Sequence, residues 1–156
     1  MIISYSDRDV IKGKNSIFLA GPTPRKKEIK SWRFEAIDYL QKLEFNGVVY
    51  VPEDENGGMS KNQKDQSNWE KEALVETKII VFWIPRRLPD MPGFTTNVEF
   101  GLWIKSGKVL YGRPEWAQKI GYLDWLYKEE CKKDPFNNLI DLLTQAVKLS
   151  ETILSV

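Results

Sequence analysis

Four short apolar runs constrain the fold most: "SIFLA" (16 to 20), "GVVYV" (47 to 51), "KIIVFWI" (78 to 84) and "KVLYG" (108 to 112). A strand with one wet face alternates polar and apolar residues. These runs are nearly continuous, so their strands are buried on both faces. Helical spacing fills the intervals: Ile29, Trp32, Ala36, Ile37, Leu40 and Leu43 recur at steps of three and four, as do Phe100, Trp103 and Ile104. A last stripe, Phe136, Leu139, Ile140, Leu143, Ala146 and Val147, begins after Pro135 and should pack on the sheet or on a second subunit. Alternating strands and helices imply right-handed crossovers, hence a parallel sheet of four to five strands with helices on both faces.

The length of 156 residues suits one domain spanning 1 to 156. Lys and Arg number 23 against 22 Asp and Glu, a net charge of +1, which supplies no field for a nucleic acid polymer or an anionic membrane. A small-molecule partner is expected instead. The chain contains no histidine, so carboxylates or tyrosines must carry any acid-base work. With Cys131 as the single cysteine, neither an internal disulfide nor a zinc site is expected, and no GxxxxGK[ST] or GxGxxG loop points to a bound cofactor. The first residues, MIISYSDRDV, lack signal-peptide character, and no apolar run reaches the roughly 18 residues a span needs. A soluble cytoplasmic protein is the expectation.

In an open parallel sheet the ligand lies beyond the carboxyl ends of the strands. The loops leaving those ends are "GPTPRKK", 52 to 66, 85 to 93 and "YGRP", and they are the expected site walls. The first holds Gly21, Pro22 and Arg25, the last of these beside Lys26 and Lys27 before a helix expected from near Glu28. Free amides at a helix start next to that basic run suit a phosphate, and a stiff turn with solvated lysines accounts for it as well. "FTTNVEFG" (94 to 101) places Thr96 three residues before Glu99, the spacing of a capping box. The same glutamate opens into the predicted cleft as a candidate nucleophile, and Gly101 leaves room beside it. "NWEKEAL" sets Glu70 at an expected helix start, where it either complements the helix dipole or serves chemistry. Trp69 and Trp116 lie near loops and either stack on a flat base or anchor the surface; Trp32, Trp83 and Trp103 read as packing. Arg113 follows the fourth strand and is a weaker candidate, as is Asp124.

Taken in order, "IFLAGPTP", "WR", "EAI", "VYVPE", "WE", "FWIPR", "TTNVEFG", "YGRP" and "YLDWL" resemble the nucleoside 2-deoxyribosyltransferase-like family over roughly residues 16 to 127. The resemblance implies a flavodoxin-like sandwich, a homo-oligomer and cleavage of the N-glycosidic bond of a deoxynucleoside or nucleotide. It makes Glu99 the nucleophile, which should stay ionised, and Glu70 the acid or base-orienting group, with its pKa raised by burial. It also places Phe18, Gly21, Pro22, Arg25, Trp69, Asp90, Gly93, Thr96, Asn97 and Arg113 around the substrate. Relatives commonly carry a tyrosine where this chain has Phe18, and an acid where it has Gly93, with Asp90 the nearby substitute. These two departures keep open the alternative of an inactive nucleotide-binding or sensing domain on the same fold.

Overall fold

The computed structural model describes residues 1–59 and 62–152. Five strands, β1 (Ile2–Tyr5), β2 (Ser16–Ala20), β3 (Val48–Val51), β4 (Ile79–Trp83) and β5 (Val109–Gly112), form one parallel sheet in the order β1-β3-β2-β4-β5. The helices are α1 (Trp32–Lys42), α2 (Gln63–Glu76), α3 (Phe94–Trp103), α4 (Gly121–Cys131) and α5 (Leu139–Thr152). Every residue of β2 to β5 is buried, and the side chains divide by parity. Ile17, Leu19, Val49, Val51, Val81 and Leu110 face α1 and α5, whereas Phe18, Tyr50, Ile80, Phe82 and Tyr111 face α2, α3 and α4. The result is the three-layer, flavodoxin-like α/β sandwich expected. Each fully buried large apolar side chain contributes about 1.5–3 kcal/mol, so the two cores outweigh any surface term. Among the described residues, no helix is long and apolar enough to cross a membrane.

Several boundaries differ from the sequence reading, each for a local reason. β1 is an additional edge strand that pairs with β3 from Ile2 opposite Val48 to Tyr5 opposite Val51. α1 starts at Trp32 rather than near Glu28, because the Ser31 hydroxyl caps it by accepting from the Arg33 amide. α2 starts at Gln63, capped by Asn62, which puts Glu70 in mid-helix rather than at a helix start. α5 starts at Leu139 under an Asn138 cap, while Phe136 lies in extended backbone bridged to Gly112.

The capping box at Thr96 and Glu99 does not form. Gly93 occupies the cap position with φ +62, no side chain caps the helix, and α3 is already under way at Phe94. Glu99 therefore sits in the second turn, leaving its carboxylate without a capping duty. Gly101 faces open space, so it spares neither the sheet nor a ligand any crowding.

Candidate active site

β3, β2 and β4 are neighbours at the centre of the sheet, and the loops leaving them surround a cavity of about 1070 Å³. Residues 21 to 31 form one wall, Pro52 with residues 54 and 56 to 59 another, and Pro92 to Thr96 a third. Glu70 projects into it from α2 and Glu99 from α3. The loop "YGRP" lies outside. Strand order explains this: β5 is one strand too far from the place where the crossovers from β2 and β4 part.

Glu99 and Glu70 are in side-chain hydrogen-bond contact. Burial pushes the Glu99 carboxyl up to about 8; the charge of Glu70 and their mutual hydrogen bond raise it too, against the opposing charge of Arg33. Glu99 therefore keeps its proton near neutral pH, beside the Glu70 carboxyl. The expectation that Glu99 stays ionised is corrected, because its amide donors at the helix start lie a full turn away. Glu70 also accepts from Gln66 Nε2 at 2.7 Å, and the same nitrogen donates to the Pro52 carbonyl at 3.1 Å.

Beside the pair lies Arg33, 2% exposed, with each of its three guanidinium nitrogens hydrogen-bonded. It donates to the carbonyls of Leu19 (2.9 Å) and Gly21 (2.7 Å), to Thr23 Oγ1 (3.1 Å) and to the Glu53 carboxylate. Ser31 Oγ donates to the same Glu53 oxygen at 2.9 Å. A buried ion pair of this kind gains little net stability, but it fixes the loop after β2 as a rigid wall. Both residues escaped the sequence reading. The signal was present: Arg33 stands three, four and seven residues before Ala36, Ile37 and Leu40, which places a charge on the inward stripe of α1.

Of the expected substrate contacts, Gly21, Pro22, Arg25, Gly93 and Thr96 line the cavity with the two glutamates. Gly21 is required by close approach, since a Cβ there would lie 2.1 Å from the Trp83 carbonyl oxygen. The Pro22 carbonyl accepts from Trp32 Nε1 at 3.1 Å. Arg25 is exposed on the rim with its guanidinium 5.7 Å from the Phe94 ring.

The structure does not bring the other five to the cavity wall. Phe18 and Trp69 of α2 are buried against each other, ring centroids 6.2 Å apart, because position 18 falls on the face of β2 that α2 covers. Asp90 works as a tether, pairing with Lys26 Nζ at 2.9 Å while its carbonyl accepts from the Arg25 amide at 2.9 Å. Asn97 points away and accepts from the buried Arg86, which also donates to the carbonyls of Pro92 and Lys119. Arg113 pairs with Asp124 at 2.8 Å on α4, where the Tyr111 hydroxyl donates to the same carboxylate. Trp116 lies under the Arg87 guanidinium at 4.9 Å, outside the cavity. Among the described residues, no group of three or more Cys, Asp or Glu could hold a metal ion.

A parallel α/β sandwich with two carboxylates in contact beyond the carboxyl edge of its sheet defines a class: open-sheet domains with acid-base groups at the edge where such sheets take their ligands. Within it, this chain belongs to the nucleoside 2-deoxyribosyltransferase-like family, whose model matches residues 14–116, about two thirds of the sequence. That span runs from just before β2 to just past β5 and includes Glu70, Glu99, Arg33 and Glu53. Among curated proteins, none matches the chain.

Proposed function

We propose that the protein cleaves the N-glycosidic bond of a deoxynucleoside or its 5′-monophosphate and transfers the sugar to water or to another base. The observation that carries this reading is the Glu99–Glu70 contact inside the cavity, in a chain of the family named above. The pair supplies one nucleophile and one proton, which is what the bond requires.

In the free protein Glu99 holds a proton, favoured by its burial. Positive charge developing at C1′ favours the Glu99 anion, so the proton passes to Glu70. Glu99 then bonds to C1′ as the C1′–N bond breaks, and the Glu70 proton goes to the departing base nitrogen. The product is a glycosyl ester of Glu99 and a neutral base. In the second half, water or an acceptor base gives a proton to Glu70, attacks C1′ and releases Glu99 as a carboxylate. Two displacements at one carbon retain its configuration.

The rim favours the monophosphate. Arg25, Lys26, Lys27 and Lys30 all line the cavity, where they complement a dianion. Incubating the protein with a deoxynucleoside and with its 5′-monophosphate, and following free base by chromatography, tests this. Faster release from the monophosphate is expected; equal rates would remove the argument from the basic loop.

A second copy of the chain is the proposed partner for the outer face. Phe94, Val98 and Leu102, at helical steps of four along α3, are 68%, 62% and 74% exposed, and Tyr122 and Trp125 stand exposed on α4 beside it. Lys105, just past the end of α3, pairs with Glu130 of α4, so the two helices are neighbours. Phe94 also lines the cavity, which brings a partner subunit on this face to the edge of the site.

A further inference from the structure

Gln66 stands outside the catalytic scheme yet is bound into it. Its side chain is buried, at 1% exposure, one helical turn before Glu70 on α2. Nε2 faces two oxygens, the Pro52 carbonyl at 3.1 Å and Glu70 Oε1 at 2.7 Å. A carbonyl only accepts, and so does an ionised carboxylate, so both bonds require the NH₂ end of the amide on this side. The amide orientation is thereby fixed by chemistry, and Pro52, at the end of β3, anchors it to the sheet.

The consequence falls on Glu70. An NH₂ group cannot take up a proton, so the side of Glu70 that faces Gln66 is held as an acceptor. The proton that Glu70 shares with Glu99 is confined to the side facing Glu99 and the cavity. Once that proton has gone to a leaving group, the Gln66 hydrogen bond stabilises the carboxylate left behind. We infer that Gln66 is a positioning residue, which aims the Glu70 carboxyl at Glu99 and holds the proton of the pair where a substrate can receive it.

Other charges act on the same pair. Arg33 on α1 faces it and favours the Glu99 anion, while Glu53, beyond β3, is committed to Arg33. Arg25, Lys26, Lys27, Glu28, Lys30 and Asp54 stand on the cavity loops. Gln66 donates to Glu70 directly.

This inference rests on the glycosidic reading above, and its test is chosen to stand apart from turnover. Protein labelled with carbon-13 at the glutamate carboxyl carbon is titrated by NMR as wild type and as Gln66→Met. In the variant, the Glu70 resonance should titrate about one pH unit higher and that of Glu99 lower, since the ionised Glu70 has lost a donor. Unchanged titrations in a folded Gln66→Met protein would overturn the assignment, whether or not any base is released. Should the variant fail to fold, the wild-type Gln66 side-chain amide is followed by ¹H–¹⁵N correlation. It should shift with the titration of the pair, and a flat response from pH 4 to 10, about the span of both ionisations, would equally overturn it. If the wild type releases base, Gln66→Met should lower kcat about tenfold with KM unchanged. A change confined to KM would contradict a role exerted through Glu70.

Discussion

Glu99 is a residue whose ionisation the fold opposes, and that opposition is measurable as stability. Its folded pKa is raised, so between the ordinary carboxyl value of 4.5 and about 8 the folded protein holds a proton that the unfolded chain has released. Stability therefore falls as pH rises through that window and levels off above it. Glu99→Gln removes the titrating group. The variant should gain several degrees in melting temperature over wild type at pH 8, and the gain should vanish near pH 4; an equal difference at both pH values would show that burial does not oppose the ionisation of Glu99. At this scale the sequence was informative about identity and less so about state. Glu99 and Glu70 stood out by position, but their contact arises from α2 and α3 packing on the same face of the sheet, which no local spacing reveals. Arg33 was visible as a charge on an apolar stripe, whereas its partner Glu53 is twenty residues away and meets it only once β3 is in place.

At the scale of elements, caps and cramped turns decide where helices begin. Asn138 Oδ1 accepts from the amides of Ile140 and Asp141 at 2.8 and 3.2 Å. Asn138→Ala should cost about 1 kcal/mol in urea denaturation, with base release unchanged, because none of the cavity-lining residues belongs to α5. Gly93 opens α3 with φ +62, and a Cβ there would come within 3.1 Å of Pro22 and 3.3 Å of the Thr96 hydroxyl. Gly93→Ala should cost about 1–2 kcal/mol and also slow the reaction, since Pro22 and Thr96 are both cavity wall. Similar kinetics for the two variants would count against that wall. The strands β2 to β5 were legible because continuous apolar runs admit little but double burial. β1 was not, since Ile2–Tyr5 is half polar and becomes a strand only by pairing with β3. The start of α3 was misread at Thr96, because a serviceable capping pattern was overridden by the left-handed turn at Gly93 just upstream.

For the whole molecule, the exposed stripe on α3 is the feature a monomer explains least. A large apolar surface on a soluble domain marks an interaction site, and this one runs up to the cavity through Phe94. Leu102→Glu places a charge at the most exposed apolar position of the stripe. Light scattering should show the wild type as an oligomer and the variant shifted to monomer, with activity reduced if the partner subunit closes the site. A wild type that is monomeric at micromolar concentration would remove the second copy from the account.

One measurement bears most directly on the reaction itself. A 2-fluoro-2-deoxyarabinosyl nucleoside, or its 5′-monophosphate, carries an electron-withdrawing fluorine beside C1′ that slows release of a sugar ester. After incubation, intact-mass spectrometry should show the protein heavier by one fluorosugar unit, and peptide mapping should locate the unit on Glu99, with no adduct in Glu99→Ala. Free base accumulating with no adduct, or an adduct on a different residue, would contradict the assignment of Glu99 as nucleophile.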